Sequence, residues 1–268
     1  MTQSFTKFYL YAGIIAFIII LYLITQSAFK NGMPTCNNYV FNVYLYLAMS
    51  ITLLGLFAYV INEIISKNEQ EKHELMPMTY VHQKLGSYTW IGMLISFIFV
   101  IMIAFSPSFS KEGHVYHHII WILFLASISV MIYPYFKSQE ISGVIDDALI
   151  STSFVFIFMS ILVYNSPKFF SSSYHYVVPG LIVGLLAIIL VSLYNIFITK
   201  DIETYKKTSL YISYVVIMLF SVFVSYDTSH MFEMAKICVK YPNYPKSSVN
   251  FFLDLLNLFV SFVNVYSN

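Results

Sequence analysis

The sequence is poor in charged residues and contains no arginine. Charged residues make up 10% of its 268 positions and hydrophobic residues 59%, whereas an average soluble domain is about 25% charged. A chain this apolar has too few polar residues to cover a water-soluble fold, and disordered chains are poor in these same apolar residues. Since the net charge is only +1 and no guanidinium can clamp a phosphate, we expect no nucleic-acid partner.

The sequence contains several long apolar runs. A helix needs about 20 predominantly apolar residues to cross the hydrocarbon core of a membrane. Barrel strands would be about half that length and would alternate in polarity, which these runs do not do. The sequence therefore predicts an all-α, polytopic transmembrane helix bundle, and hence an integral, multi-pass membrane protein. Eight runs qualify as spans, at 8–25, 40–62, 88–106, 117–136, 144–164, 177–199, 208–228 and 249–266.

The first run, Phe8–Thr25, can be interpreted as a signal peptide or as an anchor helix that is not cleaved. It is longer than the apolar region of about 7–15 residues in a signal peptide, and residues 26–29 make a poor cleavage site, so we expect an anchor. The orientation of the chain is open. If all predicted spans cross, the side of the N-terminus has eight lysines and the opposite side has six. This distribution favours a cytoplasmic N-terminus under the positive-inside rule.

The sequence has only two cysteines, too few for a disulfide scaffold or a four-ligand zinc site. Cys36 and Cys238 both fall in polar segments between predicted spans, and these two segments lie on the same side of the membrane, whichever side that is. A disulfide can form between them if that side is exoplasmic, and two free thiols are the alternative. The sequence leaves both states open.

Four aspartates fall within predicted spans, where an ionisable group is costly and therefore a candidate for function. Asp146 and Asp147 lie near the start of the fifth span, where a solvated helix start favoured by the helix dipole explains them at least as well. Asp227 lies near the predicted end of the seventh span, three residues before His230, which could hydrogen-bond to it locally. Asp254 lies about a turn and a half into the eighth span.

Asp254 belongs to a polar stripe on the last predicted helix. Asn250, Asp254, Asn257, Ser261 and Asn264 are spaced by 4, 3, 4 and 3 residues, which places all five on one helical face. Because lipid would penalise such a face, we expect it to line the bundle interior or a water-filled path. Hydrogen bonds that merely hold helices together would account for the asparagines and the serine, but less well for an aspartate.

The partner of Asp254 is the next question. No lysine lies within a predicted span, so the partner must be another carboxylate, a histidine, a metal ion or water. Two carboxylates that share a site retain one proton, which makes the pair pH-sensitive, and when deprotonated they form a candidate cation site. Ca²⁺ would need about 6–8 oxygen ligands in all. With Pro242 and Pro245 in the connecting loop, Asp227 and Asp254 are predicted to lie at similar depth on antiparallel neighbouring helices.

No catalytic motif stands out. The sequence has no phosphate-binding glycine loop and no G-x-S-x-G motif, so we expect neither enzyme activity nor a cofactor. An intramembrane aspartyl protease would also place two aspartates on neighbouring helices, but its G-x-G-D and P-A-L motifs are absent from this sequence. His114, His117 and His118, at the start of the fourth span, are interpreted as an interfacial cluster rather than a metal site.

The sequence ends in a two-part motif around the two aspartates. Tyr226-Asp227-Thr228 closes a predicted span and is followed, after a polar loop, by the run Phe252-Leu253-Asp254-Leu255-Leu256-Asn257-Leu258-Phe259. This arrangement resembles the C-terminal signature of the Bax inhibitor-1, or transmembrane Bax-inhibitor-motif, family, which reads YDTQ and then a final helix close to LYLDIINLFL. Residues 43–55 are more loosely similar to the family's first core helix. The resemblance implies a seven-helix membrane domain at 40–268, preceded by an extra anchor helix and loop at 1–39.

Members of this family act as pH-sensitive calcium leak channels of intracellular or bacterial membranes, and the eukaryotic and viral members restrain cell death. The resemblance implies that Asp227 and Asp254 are the paired aspartates that sense protons, gate the pore and meet the permeant Ca²⁺. It also implies a membrane of the endoplasmic reticulum or Golgi if the source is eukaryotic or viral. The implied partners are lipid, calcium ions and cell-death regulatory membrane proteins. A non-conducting membrane interaction protein is the alternative.

The sequence departs from the family pattern at the latch residue. The family's latch typically includes a basic residue on an earlier core helix, and no predicted span here contains a lysine or an arginine. The family also implies an orientation opposite to the lysine distribution. A cytosolic start to the first core helix would place Met1 on the far side of the membrane.

Overall fold

The computed structural model describes residues 2–70, 78–111, 114–140, 143–166, 174–199 and 201–267. Within these ranges the chain forms eight long helices and one two-stranded hairpin. Each helix contains most of one predicted apolar run, which confirms the all-α, polytopic architecture. The helices are α1 (Thr2–Ser27), α2 (Tyr39–Gln70), α3 (Met78–Phe105), α4 (His114–Glu140), α5 (Val144–Asn165), α6 (Tyr174–Ile198), α7 (Ile202–Ile237) and α8 (Tyr244–Tyr266), and the strands are β1 (Phe29–Lys30) and β2 (Met33–Pro34).

Seven of these helices are long and apolar enough to cross a membrane, and the eighth, α3, has a shorter described apolar part at Trp90–Phe105. The most apolar is α6, where the segment Pro179–Ile198 has a mean hydropathy of 2.7. Its Val183, Leu190 and Phe197 side chains are 66%, 67% and 70% exposed. A long helix that exposes such a row of large apolar side chains is stable in lipid rather than in water. The protein is therefore an integral, multi-pass membrane protein that contacts the lipid bilayer.

The chain divides into two compact units. The first comprises Met1–Lys137 and Ile237–Val249, and so contains α1 to α3, the hairpin, most of α4 and the start of α8. The second comprises Ser138–Lys236 and Asn250–Asn268, and so contains α5, α6, nearly all of α7 and the rest of α8. The domain boundary expected between residues 39 and 40 stays a prediction.

Glycine allows one helix pair of the first unit to approach closely. A Cβ atom added at Gly92 of α3 would lie 2.9 Å from the backbone nitrogen of Met131 and 3.2 Å from the carbonyl oxygen of Ser127, both on α4. The backbones of α3 and α4 therefore meet at a point where only glycine fits, as is typical of small residues between membrane helices. At Gly13 of α1 the added atom would lie 3.4 Å from Leu56 of α2, an ordinary contact.

The hairpin between α1 and α2 is closed by a two-residue turn. Phe29 pairs with Pro34 and Lys30 pairs with Met33, which leaves Asn31 and Gly32 in the turn with φ angles of 53° and 74°. Positive φ at both positions is the geometry of a type I′ turn, and Asn-Gly is its preferred sequence. Sequence reasoning missed this hairpin, although the dipeptide Asn-Gly was a signal for it.

The end of α7 lies further along the chain than predicted. The helix continues to Ile237 rather than ending at residue 228. The polar segment after Asp227 was interpreted as a loop, but it is a helix packed against protein, because Ser229 and Met231 are only 7% and 3% exposed.

At its other end, α7 is capped by Asp201, whose Oδ2 accepts hydrogen bonds from the backbone and hydroxyl of Thr204. These bonds lower the pKa of Asp201 because they favour its ionised form.

The start of α8 is also outside its predicted range, at Tyr244 rather than residue 249. Asn243 provides the N-cap, since its Oδ1 accepts a hydrogen bond from the backbone N–H of Lys246 at 3.1 Å. Pro245 lies in the first turn, where its missing N–H is not needed by the helix. The two prolines were interpreted as loop residues, but Pro245 is part of the helix.

Candidate functional site: a buried aspartate pair

The carboxyl groups of Asp227 on α7 and Asp254 on α8 are hydrogen-bonded to one another. Both residues belong to the second unit, and they are only 8% and 4% exposed. A hydrogen bond between two carboxyl groups requires a proton on one of them, because ionised carboxylates only accept. The structure thus brings together the two aspartates that the sequence singled out.

The pair lies well inside both helices. Ten residues separate Asp227 from the end of α7 at Ile237, and ten separate Asp254 from the start of α8 at Tyr244. At a rise of about 1.5 Å per residue, the pair is about 15 Å from the connector between the helices. This is about half the thickness of a hydrocarbon core. The two aspartates lie at similar depth, as predicted, but about three turns inside their helices rather than close to the helix ends.

The helices α7 and α8 are antiparallel. Beyond the aspartate pair, the side-chain amide nitrogen of Asn264 on α8 lies 2.6 Å from Ser213 Oγ and 2.9 Å from Ser209 Oγ on α7. Residue numbers thus rise along α8 as they fall along α7. Since the Asn264 amide donates to two hydroxyls of the neighbouring helix, it joins the ends of α7 and α8 that lie furthest from their connector.

The surroundings of the pair offer it little solvation. Apart from the carboxyl–carboxyl contact, Asp254 Oδ2 is buried without a hydrogen-bond partner among the residues that the structure describes. The hydroxyls of Thr228 and Ser225, next to Asp227 in sequence, donate to the Val224 and Ser221 carbonyls of their own helix. A charge on the pair is therefore costly unless water or a cation reaches it.

Two carboxylates provide at most four ligand oxygens, which is fewer than the 6–8 that Ca²⁺ takes. Over the described ranges of the chain there is no cluster of three or more histidine, cysteine, aspartate or glutamate side chains that could hold a metal ion. A cation held by the pair would need further oxygen ligands, such as water, to complete its coordination. The donor set does not fit a resident calcium ion held by protein alone.

The predicted polar stripe of α8 does not face inward along its whole length. Asp254 and Ser261 are buried, and Asn257 and Asn264 are half-buried, but Asn250 is exposed and therefore does not lie in the bundle interior. The Asn257 amide donates to the Leu253 carbonyl of its own helix at 2.8 Å. Polarity alone did not indicate the inward face because α8 also buries apolar side chains: Phe251, Phe252, Leu258, Phe259 and Val263.

The other predicted candidates, Asp146, Asp147 and His230, are less buried than the aspartate pair. Asp146 and Asp147 are exposed in the first turn of α5, in agreement with a solvated helix start favoured by the dipole. His230 is half-buried, and its ring is parallel to that of Tyr226 with a centroid separation of 6.2 Å. These placements assign Asp146 and Asp147 to the helix start rather than to a buried site.

Lysine does occur within a candidate membrane helix, contrary to the prediction. Because α8 begins early, Lys246 lies in its first turn, where Nζ donates to the carbonyls of Ala104, at 2.9 Å, and Ser106 at the end of α3. The lysine thus caps the last carbonyls of α3. In the described part of the chain the ion pair is Lys207–Glu203 on α7, with an N–O distance of 2.7 Å, and it involves neither buried aspartate.

The sequence analysis missed a buried polar network in the first unit. Asn42 of α2 is fully buried; its amide donates to the Ser27 and Asn37 carbonyls and to Tyr244 Oη, and its Oδ1 accepts from Ser27 Oγ at 2.6 Å. Nearby, Tyr46 stacks on Tyr244 with centroids 5.4 Å apart. Outside the polar stripe of the last helix, only ionisable groups were predicted as candidates, yet an asparagine inside an apolar run carries a similar signal.

The Tyr46 hydroxyl extends this network to α4, where it is 2.6 Å from His118 Nε2. The other ring nitrogen of His118 contacts the His114 carbonyl at 2.6 Å, so Nδ1 carries a proton and Nε2 of the neutral ring accepts from Tyr46. His118 therefore has a structural partner at each nitrogen, which supports the interpretation of these histidines as an interfacial cluster.

Cys36 and Cys238 form a disulfide, which settles the alternative that the sequence left open. The two cysteines are 202 residues apart in the chain, and both belong to the first unit. The bond joins the segment before α2 to the residue that directly follows α7.

Comparison with known families gives a match over most of the chain. Residues 36–268 match the family described as inhibitor of apoptosis-promoting Bax1. The match includes α2 to α8 and both aspartates, and it begins after α1 and the hairpin. A search of curated proteins gave no match. Because the family match covers most of its length, the chain belongs to the Bax inhibitor family.

Proposed function

We propose that the protein is a pH-sensitive calcium leak channel gated by the aspartate pair. The observation that carries this proposal is the buried hydrogen bond between the carboxyl groups of Asp227 and Asp254, on two different membrane helices. Calcium is the proposed permeant ion because it prefers oxygen ligands, which the pair supplies when ionised. The gate needs neither a catalytic step nor a bound cofactor.

The shared proton links α7 to α8 in the closed state. Loss of that proton leaves two like charges in contact inside a poorly solvated site, where their repulsion is far stronger than in water. The repulsion is relieved when the helices separate, when water enters, or when a cation binds between the carboxylates. We therefore expect the leak to increase as pH rises through the titration of the pair.

Membership of the Bax inhibitor family supports a cellular role for this leak. We propose that the protein lies in an intracellular membrane, of the endoplasmic reticulum or Golgi in a eukaryotic or virus-infected cell. There a calcium leak would lower the stored calcium that promotes cell death, and so inhibit apoptosis. Cell-death regulatory membrane proteins are the proposed partners.

The test is calcium flux through purified protein in liposomes between about pH 5 and 8. Replacing Asp227→Asn or Asp254→Asn introduces an amide that can donate to the remaining carboxylate without a shared proton. We expect either substitution to flatten the pH dependence of the leak. The matched control is Asn257→Ala on the same helix, since the Asn257 amide donates to Leu253 of its own helix, and it should retain the wild-type titration.

The alternative function is a membrane interaction protein that does not conduct ions. It needs the aspartate pair only as an interhelical hydrogen bond that holds α7 to α8. A wild-type flux indifferent to pH over this range, and unchanged by both asparagine substitutions, would contradict the channel and favour this alternative.

A further inference from the structure

The connector between α7 and α8 is tied to the rest of the first unit by a covalent bond. Cys238 is the first residue after α7, and its disulfide partner Cys36 lies between β2 and α2. Over the described chain neither cysteine is free. The bond thus fixes the end of the helix that carries Asp227 to a segment far away in sequence.

Backbone hydrogen bonds hold the same connector on its other side. The N–H of Ser110 donates to the Tyr241 carbonyl at 3.0 Å, and the N–H of Asn243 donates to the Ser108 carbonyl at 2.9 Å. Between them Phe109 and Pro242 form an antiparallel bridge. The segment 108–110 after α3 therefore pairs with 241–243 as a short two-stranded contact.

The first turns of α8 are fixed to the same surroundings. The Tyr244 hydroxyl donates to the Thr35 carbonyl, one residue before Cys36. The Tyr39 hydroxyl lies 2.9 Å from Ser247 Oγ. The disulfide and these bonds together hold the segment 35–39 against both sides of the α7–α8 connector. We call the disulfide and the segments 35–39 and 238–247 the connector clamp.

The disulfide also indicates which side of the membrane the clamp occupies. Disulfides persist in oxidising compartments and are rare in the cytosol. If all eight helices cross, residues 28–38, 106–111 and 238–243 share one side of the membrane, and the start of α1 and the end of α8 are on the other. The side opposite the clamp has eight of the lysines and the clamp side six, and the positive-inside rule favours the same orientation. The cytosolic start of the first core helix that the family resemblance implies would place the clamp on the cytosolic side instead, and the disulfide argues against that placement.

The disulfide is accessible to a redox partner. Cys36 and Cys238 are half-buried rather than enclosed, and Val239 beside Cys238 is 80% exposed. Lys236 and Lys240, both exposed, lie two residues before and after Cys238. Neighbouring cations favour a thiolate, which makes Cys238 the better leaving group when a thiolate attacks the Cys36 sulfur.

We propose that the Cys36–Cys238 disulfide is a redox-sensitive regulatory site on the exoplasmic face, where the closed clamp restrains the two helices that carry the aspartates. The reductant is a protein or small-molecule dithiol. Its two sulfurs form a disulfide and give up two electrons and two protons, and Cys36 and Cys238 become thiols. The connector then keeps only its hydrogen bonds, and α7 and α8 separate more readily when the pair ionises. This regulation rests on the proposed channel function.

The first measurement concerns the clamp and does not depend on conduction. Hydrogen exchange is followed in the purified full chain in liposomes, before and after addition of a phosphine reductant. We expect exchange in the segment 238–243 to accelerate about tenfold or more on reduction, because loss of the bond favours local opening. The double variant Cys36→Ser with Cys238→Ser is the control and should exchange fast with or without reductant. Unchanged exchange in the wild type on reduction would overturn the clamp.

The second measurement concerns the compartment. In sealed membrane vesicles of known orientation, a reductant that cannot cross the membrane should free the two thiols for labelling only when it is applied to the exoplasmic side. Reduction from the cytosolic side alone, or two free thiols in untreated vesicles, would overturn the exoplasmic assignment.

The third measurement links the clamp to the gate. We expect reduction to raise the wild-type calcium leak about threefold or more at neutral pH and to leave the double cysteine variant unchanged. A leak that is present but indifferent to reduction, despite accelerated exchange, would overturn the regulatory role. If no calcium flux occurs in either redox state, the proposed channel function fails. In that case the exchange result still shows whether the disulfide restrains the connector, and the labelling result still shows on which side of the membrane the disulfide lies.

Discussion

At the scale of single residues, the buried aspartates differ from the other buried polar side chains in what satisfies them. Thr228 and Ser225 donate to carbonyls of their own helix, and Asn42 donates to three oxygen atoms around it. These groups keep their partners at any ordinary pH. Asp227 and Asp254 hydrogen-bond to one another only while a proton is present. The pair is therefore the element of the described core most directly coupled to proton concentration.

The stability of the folded protein should depend on pH through this shared proton. The folded pair holds a proton that separated, solvated carboxyls release at about pH 4. By linkage, the stabilisation is present at low pH and decreases as pH rises. We expect the thermal midpoint in detergent to fall between about pH 5 and 8 in the wild type and to change much less in Asp227→Asn. Equal slopes in the two proteins would contradict a shared proton.

A second residue-scale prediction concerns Asn42, which is fully buried and joins Ser27, Asn37 and Tyr244. Asn42→Ala should lower the free energy of unfolding by about 1–3 kcal/mol, because buried polar groups lose their partner. The matched control is Asn165→Ala. It removes an exposed amide that donates to the Ile161 carbonyl of its own helix. The control should change stability little, and equal losses in both variants would refute the role of the network.

At the scale of helices, sequence reasoning predicted where the apolar elements are but not where α7 ends and α8 begins. Apolar run length locates a membrane helix, since the hydrocarbon thickness sets it. It does not locate a helix end that packs against protein, as Ser229 and Met231 do. The pairing of Asp227 with Asp254 was predictable because charge inside an apolar run is costly. The exposure of Asn250 was not predictable, because the surroundings of α8 depend on elements distant in sequence.

The contact between α3 and α4 provides a prediction at this scale. Gly92→Ala would place a Cβ 2.9 Å from the Met131 backbone nitrogen, so the helices must move apart. We expect a loss of about 1–3 kcal/mol, as for other overpacked positions, visible as a lower thermal midpoint in detergent. Gly55→Ala is the control, because no heavy atom of the described neighbours lies within 4 Å of its added Cβ. It should be neutral or slightly stabilising, since alanine favours helix.

At the scale of the whole molecule, the number of crossings determines the topology. Eight crossing helices place the start of α1 and the end of α8 on the same side of the membrane, whereas a seven-helix core alone would separate its ends. Tags fused before α1 and after α8 should therefore both be cleaved, or both be protected, when protease is added to sealed vesicles. Cleavage of one tag alone would show that one of the helices, such as α1 or α3, does not cross.

The membership of α8 in both units has a consequence for biosynthesis. Its first turns belong to one unit and the remainder to the other, yet it follows all seven other helices in the chain and so leaves the ribosome after them. With a mean hydropathy of 1.5, it is also the least apolar of the seven candidate spans in the described ranges. Neither unit can complete its core during synthesis of the preceding helices. A nascent chain stopped before Tyr244 should therefore remain sensitive to protease throughout, and insertion of α8 should be the step that makes both units resistant.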